Sequence, residues 1–323
     1  MFEDRRTSDL LPSLTAALAW GAMFPVAATA IKHVDAFHLT AVRYLIATAI
    51  FLALLAAFEG RKALRADGRG LELFILGTLG FAGFNLLTYL ALEHTRPQDA
   101  SLIVATSPLL TVLAVWLTTR QKPTRTTVGA MAVALFGVVL VITRGDPSSL
   151  LHGDGRAGDL LVLGGVASFV AYTTGARRFT GFSPLRYTAL SATGGTLTIL
   201  AATALLTLTG TYPLPSAGDW GDAAPQTAYI IVAGAVIGVL AWNEGVRRIG
   251  AANGALFMNL VPVVTFAVEI GRGYRPGEWE ILGALLTVAS LDGRRIAWRP
   301  ARLANTSAAI VSSAPNSSAA PGR

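Results

Sequence analysis

No cysteine occurs in these 323 residues. Disulfides are therefore excluded, and the redox state of the compartment leaves no trace in the sequence. Charge is scarce too. Asp, Glu, Lys and Arg make up 14% of the chain, where a soluble domain carries about 25%. Lysine occurs 3 times against 23 arginines, a bias of composition. A G-x-x-x-x-G-K-[ST] loop is missing, so direct drive by ATP hydrolysis in this chain is not expected. Also missing are H-E-x-x-H, G-x-S-x-G and any histidine beside a carboxylate inside an apolar run, which speaks against an enzyme. His33, His38, His94 and His152 fall between or at the ends of apolar runs without metal-ligand spacing, and are read as solvated. No metal and no cofactor is expected.

What is abundant is apolar surface, 53% of residues, with a mean hydropathy of +0.54. The pI near 10.1 does not point to nucleic acid. The basic residues sit in short clusters between apolar runs, with no aromatic–basic stripe. The first run, from Leu10 to Ile31, exceeds the 7–15 residues of a signal-peptide core. A bilayer core needs roughly 17–25 apolar residues as a helix. Runs of that kind cover Leu10–Ile31, His38–Phe58, Leu71–Leu92, Ala100–Thr119, Thr127–Thr143, Leu160–Ala176, Pro184–Thr209, Thr227–Trp242, Ala252–Ile270 and Trp279–Ile296. The expected fold is all-α, a polytopic membrane protein with ten transmembrane helices. The last run is the weakest, because Asp292, Arg294 and Arg295 cut into it. Residues 303–323, rich in Ala, Ser, Pro and Asn, read as a disordered cytoplasmic tail. With the N-terminus inside, 18 Lys and Arg fall on the cytoplasmic side and 6 outside, with Arg43 and Arg186 within or at the mouth of spans. The positive-inside rule then puts both termini in the cytoplasm of a plasma membrane, the inner membrane of a bacterium.

The chain repeats itself. At a constant offset of 154, Leu102 falls on Leu256, Pro108 on Pro262 and Thr111 on Thr265, and Gly129-Ala130 falls on Gly283-Ala284. This divides the chain into repeats at 10–145 and 158–298, five spans each. An odd number of spans per repeat inserts the second upside down. Inverted repeats of this type place a substrate site near the midplane, where the halves meet, and rocking of one half against the other gives alternating access.

LAWGAMFPVA in the first run, the Ser107-Pro108 pair in the fourth, the link RQKPTRTTVGA and the stretch WNEGVRRIGAANGALFMNLVPV together resemble the EamA family of the drug/metabolite transporter superfamily. The resemblance covers nearly all of residues 10–298. It implies ten helices, a central cavity between the repeats, and export or exchange of small metabolites such as amino acids. Two departures stand out. Where members often carry Gly-Glu after the fourth helix of each half, this chain has roughly Arg120 and Tyr274, and Asp292 shortens the last span.

Several residues inside the runs are candidates for a site. Pro108 and Pro262 free the carbonyls of Val104 and Met258, which must then meet a polar group or a wet cavity. Thr106, Ser107 and Asn259 stand beside these breaks. The prolines either bend helices for packing or open a cavity wall, and Asn259 either bonds a neighbouring helix or touches substrate. Trp20, Phe24 and Pro25 interrupt the first run at mid-depth. Arg43, one and a half turns into the second, attracts a substrate carboxylate or pairs with a structural acid. Asn85 and Tyr89 share one face of the third run, four residues apart. Tyr172 and Asn243 complete the set. Glu269, near the outer end of the ninth run, either pairs with Arg272 or couples transport to protons. Trp242, Trp279 and Trp298 are read as interface anchors. Gly234-x-x-x-Gly238 and Ala130-x-x-x-Ala134 read as close helix packing.

The reading that follows is a secondary transporter of a small metabolite, an amino acid or a related compound, by alternating access and in the export direction. A facilitator, a channel-like protein or an accessory membrane protein is the alternative, although nothing resembles an ion filter. The expected partners are a small-molecule substrate, a proton or another ion, and the bilayer, with no nucleic acid. The protein is a monomer or homodimer.

Overall fold

Helix starts and breaks follow local chemistry in a computed structural model, which describes residues 2–120, 125–146, 156–250, 254 and 257–290. Helix α1 spans Phe2–Ala30 and continues through Pro12 and Pro25. Helix α2, Ala36–Phe58, starts at Asp35, whose carboxylate accepts from the backbone N–H groups of Phe37 and His38 and so satisfies orphan donors of the first turn. Helix α3 covers Gly70–Ala91. Helix α4 is in two pieces, Pro97–Val104 and Ser107–Thr119. After α5 (Arg125–Thr143) come α6 (Arg156–Gly175) and α7 (Pro184–Leu208). The last starts with the Ser183 hydroxyl accepting from Arg186 N–H and with proline in the first turn, the position a helix tolerates best. Helix α8 runs over Ala224–Ile249, α9 over Leu260–Gly271 and α10 over Glu278–Ser290.

Among the described residues there are no strands, and seven helices are long and apolar enough to cross a membrane: α1 to α4 and α6 to α8. The expectation of ten spanning helices is met only to that extent. The ninth run opens with a 3₁₀ turn, Phe257–Asn259, so α9 proper has 12 residues, or about 18 Å of rise. Helix α10 has 13 described residues and α5 has 19. Asp292, Trp298 and residues 303–323 lie outside the described residues. Leu71 and Leu208, 73% and 87% exposed, are apolar side chains turned outward, as a hydrocarbon solvent requires.

The two halves meet along α2 and α7, which run antiparallel. The Thr203 hydroxyl donates to Phe37 O near one end, and the Ser183 hydroxyl donates to Glu59 near the other. Midway, the hydroxyls of Thr48 and Thr196 lie 2.7 Å apart. Each stands 12 residues past the first residue of its own helix. Helices α3 and α8 widen to π-helix over Thr78–Gly83 and Ile230–Ile237, a distortion frequent at functional sites. Gly80 and Gly234 stand in these stretches at the same offset of 154. A Cβ on Gly80 would lie 2.3 Å from the Tyr172 ring, and one on Gly234 would lie 2.6 Å from Met23 Sδ. The glycines thus let α6 and α1 cross close to the widened turns. Gly238 is equally close to Trp20, in keeping with the packing expected of that glycine pair. The side chains of Ala130 and Ala134 lie outside the described residues.

Candidate functional site

At the centre of the bundle, α2 carries Arg43, 1% exposed. Its Nη1 donates to Asn85 Oδ1 and to the Tyr89 hydroxyl, each at 2.8 Å. The four-residue spacing of Asn85 and Tyr89 on α3 turns both toward this one guanidinium. Asn85 in turn donates from Nδ2 to the Tyr44 hydroxyl and to Phe81 O, both at 2.9 Å, so its whole amide is committed. The guanidinium also lies over the Tyr44 ring at 4.8 Å and near the Tyr89 ring at 5.7 Å. Arg43 Nε has no hydrogen-bond partner. Arg43, Tyr44, Phe81 and Asn85 line a small cavity of about 20 Å³, room for about one water.

A second layer is built by α6, α7 and α8. Asn243 donates from Nδ2 to the Tyr172 hydroxyl at 2.8 Å and to Thr188 Oγ1 at 2.6 Å. Tyr172 stacks on Tyr187, centroids 5.1 Å apart, and the Tyr187 hydroxyl donates back to Tyr172 O. Asn243 and Tyr187 form the floor of a vestibule of about 340 Å³. Its mouth carries Arg177 and Arg247. Trp20, Phe169 and Trp242 line the inner cavity with ring centroids 5.5 to 5.7 Å apart. The indole of Trp20 donates to Gly234 O, in the widened turn of α8, at 2.8 Å, and that of Trp242 donates to Thr173 Oγ1.

The opposite end is shut by charge. Arg96, between α3 and α4, makes a two-pronged contact with Asp99 at 2.7 and 2.8 Å. It also reaches Glu280 at 2.8 Å and the Tyr274 hydroxyl at 3.1 Å. Tyr274 donates to Glu280, which also accepts from Gly277 N–H and lies 3.4 Å from Arg144. Burial pulls the Arg96 proton affinity down, but its bonds to Asp99 and Tyr274 outweigh this and hold it above the ordinary value. The cluster ties the third-to-fourth helix link of one half to the last two helices of the other. Tyr274, a departure from the family pattern, is one of its members.

The candidates read from the sequence thus separate. Trp20, Arg43, Asn85 and Tyr172 line the inner cavity, Tyr89 bonds Arg43 from beside it, and Asn243 floors the vestibule. Phe24 is buried in the adjoining core. Thr106 and Ser107 donate to Ile103 O and Val104 O of their own helix and line neither space. Pro108 therefore frees a carbonyl that Ser107 takes up. Pro25 frees Gly21 O, to which the Thr265 hydroxyl on α9 donates at 2.7 Å. Asn259, beside Pro262, is buried with Oδ1 unpartnered, away from both spaces. Glu269 lies 3.5 Å from Arg272, which also donates to Pro25 O. Two readings need correction. Trp242 is not an interface anchor but is 1% exposed, because α8 continues to Ile249 and leaves it two turns inside. His38 is not solvated. It sits between Asp35 at 2.6 Å and Thr207 at 3.1 Å. Tyr44, Phe169 and Tyr187 were not singled out. Each is an aromatic inside an apolar run, a signal shared with ordinary core residues.

The sequence profile of the EamA-like transporter family matches residues 9–143 and again residues 156–291. Among curated proteins, the chain is 31% identical over 285 residues to the uncharacterized transporter YrdR of Bacillus subtilis (strain 168), covering 87% of this chain and 89% of that one. It is 29% identical over 269 residues to the uncharacterized transporter YyaM of the same organism, covering 83% and 87%. To a probable terminal-alkyne amino-acid exporter of Streptantibioticus cattleyicolor it is 25% identical over 276 residues, covering 85% and 89%. A solved crystal structure of a protein 21% identical in sequence superposes with a TM-score of 0.66 over 88% of this chain and 95% of the other. That likeness is one of fold.

Proposed function

This chain belongs to the EamA-like transporter family, and we propose on that basis that it is a secondary transporter exporting a small metabolite, an amino acid or a related compound, by alternating access. The observation that carries the reading is closure at one end only. The vestibule is open down to Asn243, while Arg96, Asp99, Tyr274 and Glu280 are joined at the other end. A channel needs a continuous path, whereas alternating access needs a state of this kind and its mirror. The antiparallel α2 and α7 and the matched π-helical turns support two inverted repeats of five spanning helices each, rocking about the midplane. Arg177, Arg178, Arg247 and Arg248 cluster at the vestibule end. By the positive-inside rule that end faces the cytoplasm, with both chain termini, in an inner membrane. The vestibule then loads from inside, as export requires, and the relative named as an amino-acid exporter agrees with that direction. Counterflow into proteoliposomes loaded with a metabolite mixture is the test. Saturable, competable flux of at least one compound is expected, and linear non-selective leakage would defeat the reading. A C-terminal alkaline phosphatase fusion, active only outside the cytoplasm, should stay silent.

A further inference from the structure

A buried arginine is nearly always paired with an anion, and Arg43 is an exception. Its contacts are neutral, an amide oxygen and a phenol. No carboxylate pairs with it among the described residues, and none is among the residues lining its cavity. Of the nearby carbonyls, Phe81 O accepts from Asn85 and Gly234 O from Trp20. Nη1 is committed to Asn85 and Tyr89, yet Nε has no partner, and Nε belongs to the edge with which arginine grips a carboxylate two-pronged. The remaining lining is aromatic or apolar, with Trp20, Phe169, Tyr172, Trp242 and Met23 foremost.

We propose that the substrate supplies the missing counter-ion: a monocarboxylate with an apolar or aromatic body and no amino group, its carboxylate held by Arg43 and its body by the aromatic cluster. This rests on the transporter reading above and narrows its substrate from amino acids and related compounds to the amine-free carboxylates among the latter. Charge decides the class. One carboxylate leaves the site neutral. A zwitterion adds an ammonium where no acid waits for it, and the faces of Tyr44 and Tyr89 already hold the guanidinium. A dicarboxylate leaves an unpaired anion in the same space. Arg177 at the vestibule mouth raises the local concentration of anions on the loading side, Arg247 being paired with Glu244. The inner cavity now has room for about one water, so the body enters as Trp242 and Tyr172 swing aside and join it to the vestibule.

The full chain in detergent tests this by tryptophan fluorescence, Trp20 and Trp242 being the two of its six tryptophans that line the cavity. The ligands are 3-phenylpropionate, 3-cyclohexylpropionate, phenylalanine and 2-phenylethylamine. Both propionates should quench saturably, with Kd about tenfold or more below that of phenylalanine, and the amine should be silent. Arg43→Met should weaken 3-phenylpropionate binding by about tenfold or more, with Arg43→Lys between. Phenylalanine binding as tightly as 3-phenylpropionate would overturn the proposal, as would unchanged binding by a folded Arg43→Met. If that variant does not fold, the ligand order on the unaltered protein decides. Counterflow separates the two readings. Saturable phenylalanine flux that the propionates do not compete leaves the transporter and removes the carboxylate class. Propionate binding without saturable flux of any ligand leaves the anion site and removes the transporter.

Discussion

A proline inside a membrane helix reduces to the fate of one carbonyl. Pro25 removes the N–H that Gly21 O would have used, and the Thr265 hydroxyl of α9 fills the gap at 2.7 Å while also bonding its own Val261 O. In lipid no water stands in for a lost donor. Thr265→Val, close in shape, should therefore lower stability by about 1–3 kcal/mol, read as thermal unfolding in detergent. In a Pro25→Ala background most of that loss should vanish, because Gly21 O regains its own helical partner. Equal losses in both backgrounds would show that the threonine acts through packing alone. Half of this was legible in the sequence. The freed carbonyl four residues before each proline is a local rule, and Ser107 stands beside its own break. The reach of Thr265 to Gly21 depends on how α9 lies on α1, which no local pattern encodes. Arg43, Asn85 and Tyr89 divide in the same way: burial and a shared helix face could be read, but their meeting could not. Trp242 was misread because hydropathy ends the eighth run there, while the helix itself continues to Ile249.

At the level of elements, the π-helical turns of α3 and α8 went unread, since no sequence rule announces a widened turn, although glycines at matching positions were visible. Their neighbours differ in give. A Cβ on Gly80 would press on the near end of Tyr172, at Cγ and Cβ, a ring already held by Tyr187 and Asn243. A Cβ on Gly234 would press first on the sulfur of Met23, a side chain that adapts easily. Gly80→Ala should therefore cost about 1–3 kcal/mol, the usual penalty of overpacking, and it should also disturb the Asn243 layer. Gly234→Ala should cost distinctly less. Melting temperatures of the two variants side by side check the order, and a larger loss at Gly234 would mean that α1 is the tighter crossing.

For the whole molecule, the question is what holds one end shut while the other stands open. The sequence could not single out Arg96 and Glu280, which are 184 residues apart, the first in a short link that hydropathy treats as solvated and the second in the opening turn of the tenth run. Glu280 is 3% exposed and joins Arg96, Tyr274 and Arg144, so the closed end depends on it more than on any surface pair. Removing one partner of a buried ion pair costs about 3–5 kcal/mol. A conformational balance needs about 5.5 kcal/mol to swing from 1:99 to 99:1, so Glu280→Gln should move most of that distance toward opening at this end. Arg96 keeps Asp99 in the variant, which limits the damage to the fold. The absence of cysteine makes the measurement clean, because a single introduced thiol is the only one present. Met23→Cys, beside the inner cavity, should resist a membrane-impermeant maleimide added from the closed side and should react several-fold faster once Glu280→Gln is added. Thr180→Cys, in the vestibule, should change in the opposite sense when labelled from its own side. Unaltered labelling at both positions would mean that the cluster ties helices together without gating them.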